Sequence, residues 1–208
     1  MSGTEPQTPT QSLIARALNL LLHPAQTWDL IEAEEATIED LYRTWVLPLA
    51  AIPAVARALG LLSFRGFEFF GFRYQPSLVT VLGDAVASYA LTLLSVYLLA
   101  LVIDQFALQF GGERSRTQAF KLVAYSGTAA WVGGLFMLLP SIGGLFTLLG
   151  GLYSLYLLYL GLPKLMRSNP NLTLNYFGLT LVAAVLLAII IGAVTSCATS
   201  YGGPVHIY

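Results

Sequence analysis

Residues 122–163 read LVAYSGTAAWVGGLFMLLPSIGGLFTLLGGLYSLYLLYLGLP and contain no charged side chain. A helix needs about 20 apolar residues to cross the ~30 Å hydrocarbon core of a bilayer, so this stretch is long enough for two spans. Only the tripeptide Leu-Pro-Ser at 139–141 separates its two apolar halves. We therefore predict two membrane spans, at 119–139 and 141–162, joined by a tight hairpin.

The shortage of charge extends over most of the chain. The 208 residues include 10 basic and 11 acidic side chains, so that 10% of the residues are charged and 56% are hydrophobic. Soluble domains carry about 25% charged residues, and a soluble fold of this size could not bury so much apolar surface. Three further apolar segments predict spans at 45–63, 78–103 and 176–197. The sequence thus indicates an all-α integral membrane protein with five transmembrane helices.

The N-terminal part differs from the rest because residues 1–45 contain nine of the 21 charges. We expect a disordered polar tail at 1–11, an amphipathic helical segment at 12–44, the five-span membrane domain at 45–200 and an outer tail at 201–208. Two interpretations of the amphipathic segment stay open: a helix in the membrane interface, or a helix packed on the protein's own cytosolic face. Its first helix places six apolar side chains on one face: Leu13, Ile14, Ala17, Leu18, Leu21 and Leu22.

The orientation follows from the lysines and arginines outside the spans, because cytosolic loops carry the excess of these residues. With the N-terminus in the cytosol, the cytosolic segments would carry seven of them and the opposite side only Arg65 and Arg73. We therefore predict a cytoplasmic N-terminus and an outside C-terminus. The seven residues are Arg16, Arg43, Arg114, Arg116, Lys121, Lys164 and Arg167.

Two ionisable residues fall inside predicted spans. Arg57 lies about six residues before the outer end of the first span and Asp84 about six residues after the outer start of the second, so both lie about 9 Å below the outer boundary. We predict that they face each other, with Ser88 and Thr92 extending a polar stripe below Asp84. Ionisable groups at membrane depth are candidate functional groups. The pair is either a structural ion pair that fixes helix register or part of an ion or proton path.

Two other patterns concern the inner boundary and helix packing. Asp104, with Arg116 or Lys121 across the inner loop, predicts an interfacial ion pair. Small residues at every fourth position predict a close-packed hairpin or, alternatively, a dimer contact. These small residues are Ser126, Ala130 and Gly134 in the third span, and Gly143, Thr147 and Gly151 in the fourth.

Several functional classes are not expected. A net charge of −1 gives no basis for binding nucleic acid. The single Cys197 and the two separated histidines, His23 and His206, provide no metal site. The sequence also lacks a nucleophile with a base, a phosphate-binding loop and a HExxH motif. We predict a protein that is not an enzyme and has no cofactor or metal.

The stretch LYSLYLLYLGLPKLM at 152–166 resembles the signature at the end of the fourth span in the Yip family, the Ypt/Rab-interacting five-span membrane proteins. The similarity covers residues 12–167 and is carried most specifically by this block. Weaker pieces lie at 24–28, 46–53, 110–112 and 119–126. Within the block, the positions that match the family motif are Tyr153, Tyr156, Tyr159, Gly161 and Pro163. The three tyrosines are compatible either with an aromatic belt near the interface or with a polar seam along a cavity.

The resemblance implies five spans, a cytosolic N-terminus and a bacterial-type member located in the inner (plasma) membrane. Eukaryotic members act in vesicle traffic and bind Rab GTPases. Their Asp-Leu-Tyr-Gly-Pro motif is present only as Asp-Leu-Tyr at 40–42, followed by Arg43 and Thr44. A Rab-type GTPase is therefore not an expected partner.

These observations favour a non-enzymatic membrane-organising or partner-binding protein. The expected partners are the lipid bilayer and, as further candidates, a second copy of the chain or another membrane protein. The alternative is a small transporter or channel for an ion, a proton or a solute, which would use the polar site at Arg57 and Asp84.

Overall fold

The computed structural model describes residues 12–63, 68–69, 72–73 and 77–200. The expected tails at 1–11 and 201–208 lie outside the described residues. Helices make up most of the described part, which also contains connecting loops and an antiparallel pair of two-residue strands, β1 (Glu68–Phe69) and β2 (Phe72–Arg73). The predicted all-α membrane class is confirmed.

The chain begins with three short helices: α1 (Leu13–Leu22), α2 (Pro24–Ala33) and α3 (Ile38–Leu41). We call residues 12–37, which contain α1 and α2, the head. The Ser12 hydroxyl accepts a hydrogen bond from the N–H of Ala15 at 3.2 Å and caps α1. Thr37 caps α3 in the same way through the N–H of Asp40, at 3.1 Å. The sequence places these caps where each helix begins.

Four continuous helices in the described part are long and apolar enough to cross a membrane: Ile38–Ser63, Leu78–Phe110, Ser141–Leu165 and Thr173–Thr195. The first contains α3, a π-helical turn (Tyr42–Val46) and α4 (Leu47–Ser63). The second contains α5 (Leu78–Phe106) and a 3₁₀ turn (Ala107–Phe110). The third lies in α8 (Pro140–Leu165) and the fourth in α9 (Thr173–Ser200).

The third predicted span, at 119–139, is helical but interrupted, so the described residues hold four uninterrupted membrane-length helices and this broken segment. The segment consists of α6 (Arg116–Ser126), α7 (Thr128–Gly133) and a 3₁₀ turn (Gly134–Leu138). Each glycine costs about 1 kcal/mol of helix propensity relative to alanine, and Gly127 lies at the break between α6 and α7. The 3₁₀ turn at the end of the segment packs closely on α4, since a Cβ at Gly134 would lie 2.5 Å from the Cβ of Pro53.

The hairpin formed by α7 and α8 is close-packed, and its contact includes only some of the residues of the predicted small-residue stripe. A Cβ on Gly133 would lie 2.7 Å from the carbonyl oxygen of Phe146, and one on Gly150 would lie 2.5 Å from that of Ala129. The N–H of Ala130 donates to the Ser154 hydroxyl at 2.9 Å. Backbones approach this closely only where side chains are absent.

The predicted stripe therefore needs correction. Gly143 lies in the contact, because its Cβ would be 2.6 Å from the carbonyl oxygen of Phe136, but Gly151 faces open space. The Thr147 hydroxyl donates to the Gly143 carbonyl of its own helix, at 2.9 Å. The Ser126 hydroxyl likewise donates within α6, at 2.6 Å to the carbonyl of Leu122. A strict four-residue spacing drifts around a helix of 3.6 residues per turn, which explains why the position at 150 and not 151 makes the contact.

Gly150→Ala should therefore lower the stability of the protein, whereas Gly151→Ala should not. Overpacking a filled contact costs about 1–3 kcal/mol, and the nearest atom at Gly150 is a backbone oxygen that cannot move aside. The measurement is the free energy of unfolding in SDS–detergent mixtures. Equal values for the two variants would contradict this packing.

Candidate functional site

The predicted intramembrane pair is present between α4 and α5. Nε of Arg57 lies 3.0 Å from Oδ2 of Asp84. The Asp84 side chain is 5% exposed and that of Arg57 is 50% exposed, so the burial is strongly unequal. Oδ1 of Asp84 is buried and accepts no hydrogen bond from any described residue. Among the described residues, the buried carboxylate therefore has one charged partner, which is half exposed.

The hydroxyls of the polar stripe below Asp84 donate hydrogen bonds to backbone carbonyls of their own helix, α5. The Ser88 hydroxyl donates to the carbonyl of Ala85 at 3.1 Å, and that of Thr92 donates to the carbonyl of Ser88 at 2.8 Å. Hydroxyls that are satisfied in this way cause no hydrogen-bond loss inside a membrane. The stripe can line a helix contact without binding a ligand.

Two tyrosines that the sequence analysis did not single out join α5 to the first span. The Tyr89 hydroxyl donates to the carbonyl of Leu47 at 3.1 Å, and the Tyr42 hydroxyl donates to that of Leu93 at 2.8 Å. Aromatic hydroxyls need partners when they are buried, and this need is the only sequence signal that could have identified them.

Three cavities in the described part have different linings. The largest, of about 340 Å³, is an open apolar groove lined by residues including Pro48, Val55 and Leu135. A polar groove of about 230 Å³ lies between α1 and α2, and the third cavity is only about 10 Å³. Neither Arg57 nor Asp84 lines any of the three.

The inner ion pair differs in part from the prediction. Oδ2 of the buried Asp104 lies 3.8 Å from Nε of Arg116, as predicted, and 3.7 Å from Nη2 of Arg114. Arg114 was not among the predicted partners, although it is only two residues from Arg116. Lys121 does not reach Asp104, which corrects the other predicted pairing.

Lys121 instead holds the head. Its side chain is only 2% exposed, and Nζ donates to the backbone carbonyls of Ile31, at 3.0 Å, and Glu34. Nε2 of Gln118 donates to the carbonyl of Glu32 at 3.2 Å. A cation at these carbonyls interacts favourably with the negative C-terminal end of α2. Because Lys121 lies on α6, it joins α6 directly to the head.

The largest buried side chain of the head is that of Trp28 on α2, which is completely buried. Its ring packs against Gly161 of α8, where an added Cβ would lie 2.8 Å from Cε2 of Trp28 and 2.6 Å from Cδ1 of Leu122. The Tyr125 ring meets it edge to face, with centroids 6.4 Å apart. Nζ of Lys164, one turn beyond Gly161, donates to the carbonyl of Ala25 at 2.7 Å. It also forms an ion pair with the carboxylate of Asp29.

This contact gives the motif at 152–166 a physical role. Gly161 forms the notch for Trp28, and the Tyr153 hydroxyl donates to the carbonyl of Leu21 at the end of α1, at 2.7 Å. Tyr159 packs edge to face on Phe177 of α9, with centroids 5.3 Å apart. Pro163 lies in the last turn of α8.

The three tyrosines of the motif do not share one partner. Tyr153 forms a hydrogen bond with the head, and Tyr159 packs on α9. Tyr156 is largely exposed, and its ring lies 5.5 Å from that of Tyr153.

Arg16 joins the head to the first membrane span and to α6. Its guanidinium forms an ion pair with Glu34 and lies 4.9 Å from the ring centroid of Tyr125 and 5.8 Å from that of Trp45. Such positions allow cation–π attraction. Nε1 of Trp45 also donates to the Thr128 hydroxyl at 3.1 Å. None of these contacts is predicted from the sequence, and two of them, Arg16 with Tyr125 and Trp45 with Thr128, join residues more than 80 positions apart.

Comparison with known proteins agrees with this architecture. The sequence model of the Yip1 domain matches residues 18–193. The chain is 30% identical to the inner membrane protein YohC of Escherichia coli K12 over an alignment of 186 residues. This alignment covers 88% of this chain and 95% of YohC. YohC of Escherichia coli O6:H1 gives the same values. No solved structure matches the chain significantly.

Proposed function

Because the chain belongs to the Yip1 domain family of membrane proteins, we propose that it is a non-enzymatic protein that organises the membrane by binding a partner protein or a second copy of itself. We place its N-terminus and head on the cytoplasmic side of the inner membrane, on the basis of the lysine and arginine distribution. The observation that carries the proposal is the docked head. Trp28 and Lys121 hold it as a fixed surface rather than a loose tail.

A fixed head suits partner binding because a preorganised surface loses less conformational entropy on association. Its outer side carries exposed Leu30 beside the acidic residues Asp29 and Glu35. These exposed side chains are accessible to a partner.

Crosslinking and affinity purification from native membranes would test this proposal. We expect crosslinked partners or dimers whose yield falls when the head is released, as in the variant Gly161→Leu, and stays unchanged in Gly151→Leu. Unchanged partners and unchanged localisation after release of the head, or after deletion of residues 12–43, would overturn it.

Transport is the second candidate function, and the observation that favours it is the unpartnered Oδ1 of buried Asp84. Against transport, neither Arg57 nor Asp84 lines the three cavities described above. Ion or proton flux into liposomes should be lost in Asp84→Asn, with the fold intact, if Asp84 lies on a path. Absence of flux through the unmodified protein would end this alternative.

A further inference from the structure

Helix α1 has three different sides. One side, with Ala17 and Leu20, is buried against the rest of the protein. A second side carries Arg16 and Asn19, which line the polar groove shared with α2. The third side is apolar and open: Ile14 is 69% exposed, Leu18 50% and Leu22 69%. Residues four apart fall on one side of a helix, so these three form a continuous apolar stripe.

The depth of α1 follows from its contact with α8. The hydrogen bond from the Tyr153 hydroxyl to the Leu21 carbonyl places the end of α1 beside Tyr153. A hydrocarbon core of ~30 Å corresponds to about 20 helical residues, which, counted from Ser141, ends near Leu160. Tyr153 lies seven residues before that point, about 10 Å inside the hydrocarbon boundary.

The surface around this contact is itself apolar. On α8, Leu149 and Leu152 precede Tyr153 and are more than half exposed. Side chains of this kind at such a depth face lipid. The open stripe of α1 therefore lies at the level of a lipid-facing part of α8.

We propose that α1 is a half-inserted helix. Its stripe of Ile14, Leu18 and Leu22 lies against the acyl chains of the leaflet on the head side, and its polar groove faces water. Amphipathic helices in the interface bury their apolar face about 5–10 Å into the boundary, which agrees with the depth that Tyr153 gives. This inference does not depend on whether the head binds a partner protein.

Spin labelling tests the proposal on the purified full-length chain. In a Cys197→Ala background, a label is attached at Leu18→Cys, and the matched control carries it at the neighbouring Asn19→Cys, on the polar side. The proteins are reconstituted in phosphatidylethanolamine–phosphatidylglycerol vesicles, and collisions with oxygen and with a water-soluble nickel chelate are compared. We expect oxygen to dominate at 18 and the nickel chelate to dominate at 19.

Two results would overturn the proposal. Dominant collisions with the nickel chelate at 18 would place the stripe in water. Poor access of both reagents at 18 would mean that protein, such as a second copy of the chain, covers it. Labels at Ile14→Cys and Leu22→Cys repeat the measurement, so that one poorly folded variant does not decide the outcome.

Discussion

Replacing Gly161 with leucine is expected to release the head from α6 and α8. The notch at Gly161 has no room for even a Cβ, because the Trp28 ring and the Leu122 side chain would lie within 2.8 Å of it. Overpacking of this kind costs about 1–3 kcal/mol. Trp28 lies on a separate short helix, so moving α2 away is the easiest way to relieve the clash. The membrane helices should remain assembled.

Trypsin cleavage at Arg16 measures this release, because the ion pair with Glu34 and the stacking on Tyr125 protect Arg16 in the docked head. Cleavage of a transiently open segment follows the open population. A change of 1–3 kcal/mol therefore predicts cleavage about 5-fold to 150-fold faster.

Gly151→Leu is the matched control, since Gly151 lies on the same helix and faces open space. Its cleavage rate should equal that of the unmodified protein. Trp28→Ala should accelerate cleavage without any change in α8, which separates release of the head from damage to the helix. Protection of Arg16 in both Gly161→Leu and Trp28→Ala would show that Trp28 does not hold the head.

Contacts are predicted best from the sequence where counting residues along a helix is enough to give the depth of each side chain in the membrane. The pairing of Arg57 with Asp84 follows from equal depths on two antiparallel spans, and their 3.0 Å contact agrees with that reasoning. The rotation of a helix about its axis cannot be counted in this way. For this reason, the spacing pointed to Gly151, whereas Gly150 makes the contact.

Contacts between distant segments are beyond such counting. Lys121 looks like a loop cation that should pair with Asp104, but it binds the backbone carbonyls of Ile31 and Glu34. A carbonyl has no sequence signature, so no pattern of charges can reveal this site. The break at Gly127 could not be predicted from the sequence either, because the helix propensity of one glycine is only a weak signal.

Arg57→Gln should destabilise the protein much more than Asp84→Asn does. Removing Arg57 leaves a carboxylate that is 5% exposed without its cation, whereas removing the charge of Asp84 leaves a guanidinium that is already half exposed. Breaking a buried ion pair so that an uncompensated charge stays buried costs about 3–5 kcal/mol. A half-exposed arginine near the boundary can extend toward the headgroups instead, so its loss of a partner should cost about 1 kcal/mol or less.

The free energies of unfolding in SDS–detergent mixtures, measured for both single variants and for the double variant, test this asymmetry. The double variant should recover most of the stability lost in Arg57→Gln, because the uncompensated carboxylate is gone. Matched controls are Arg43→Gln and Glu39→Gln, which alter an exposed pair on one helix and should change stability by less than about 0.5 kcal/mol. Equal losses in Arg57→Gln and Asp84→Asn, with additive values in the double variant, would show that the two residues do not stabilise each other. Burial of the acid, and not the mere presence of two charges at membrane depth, is what makes Arg57 necessary.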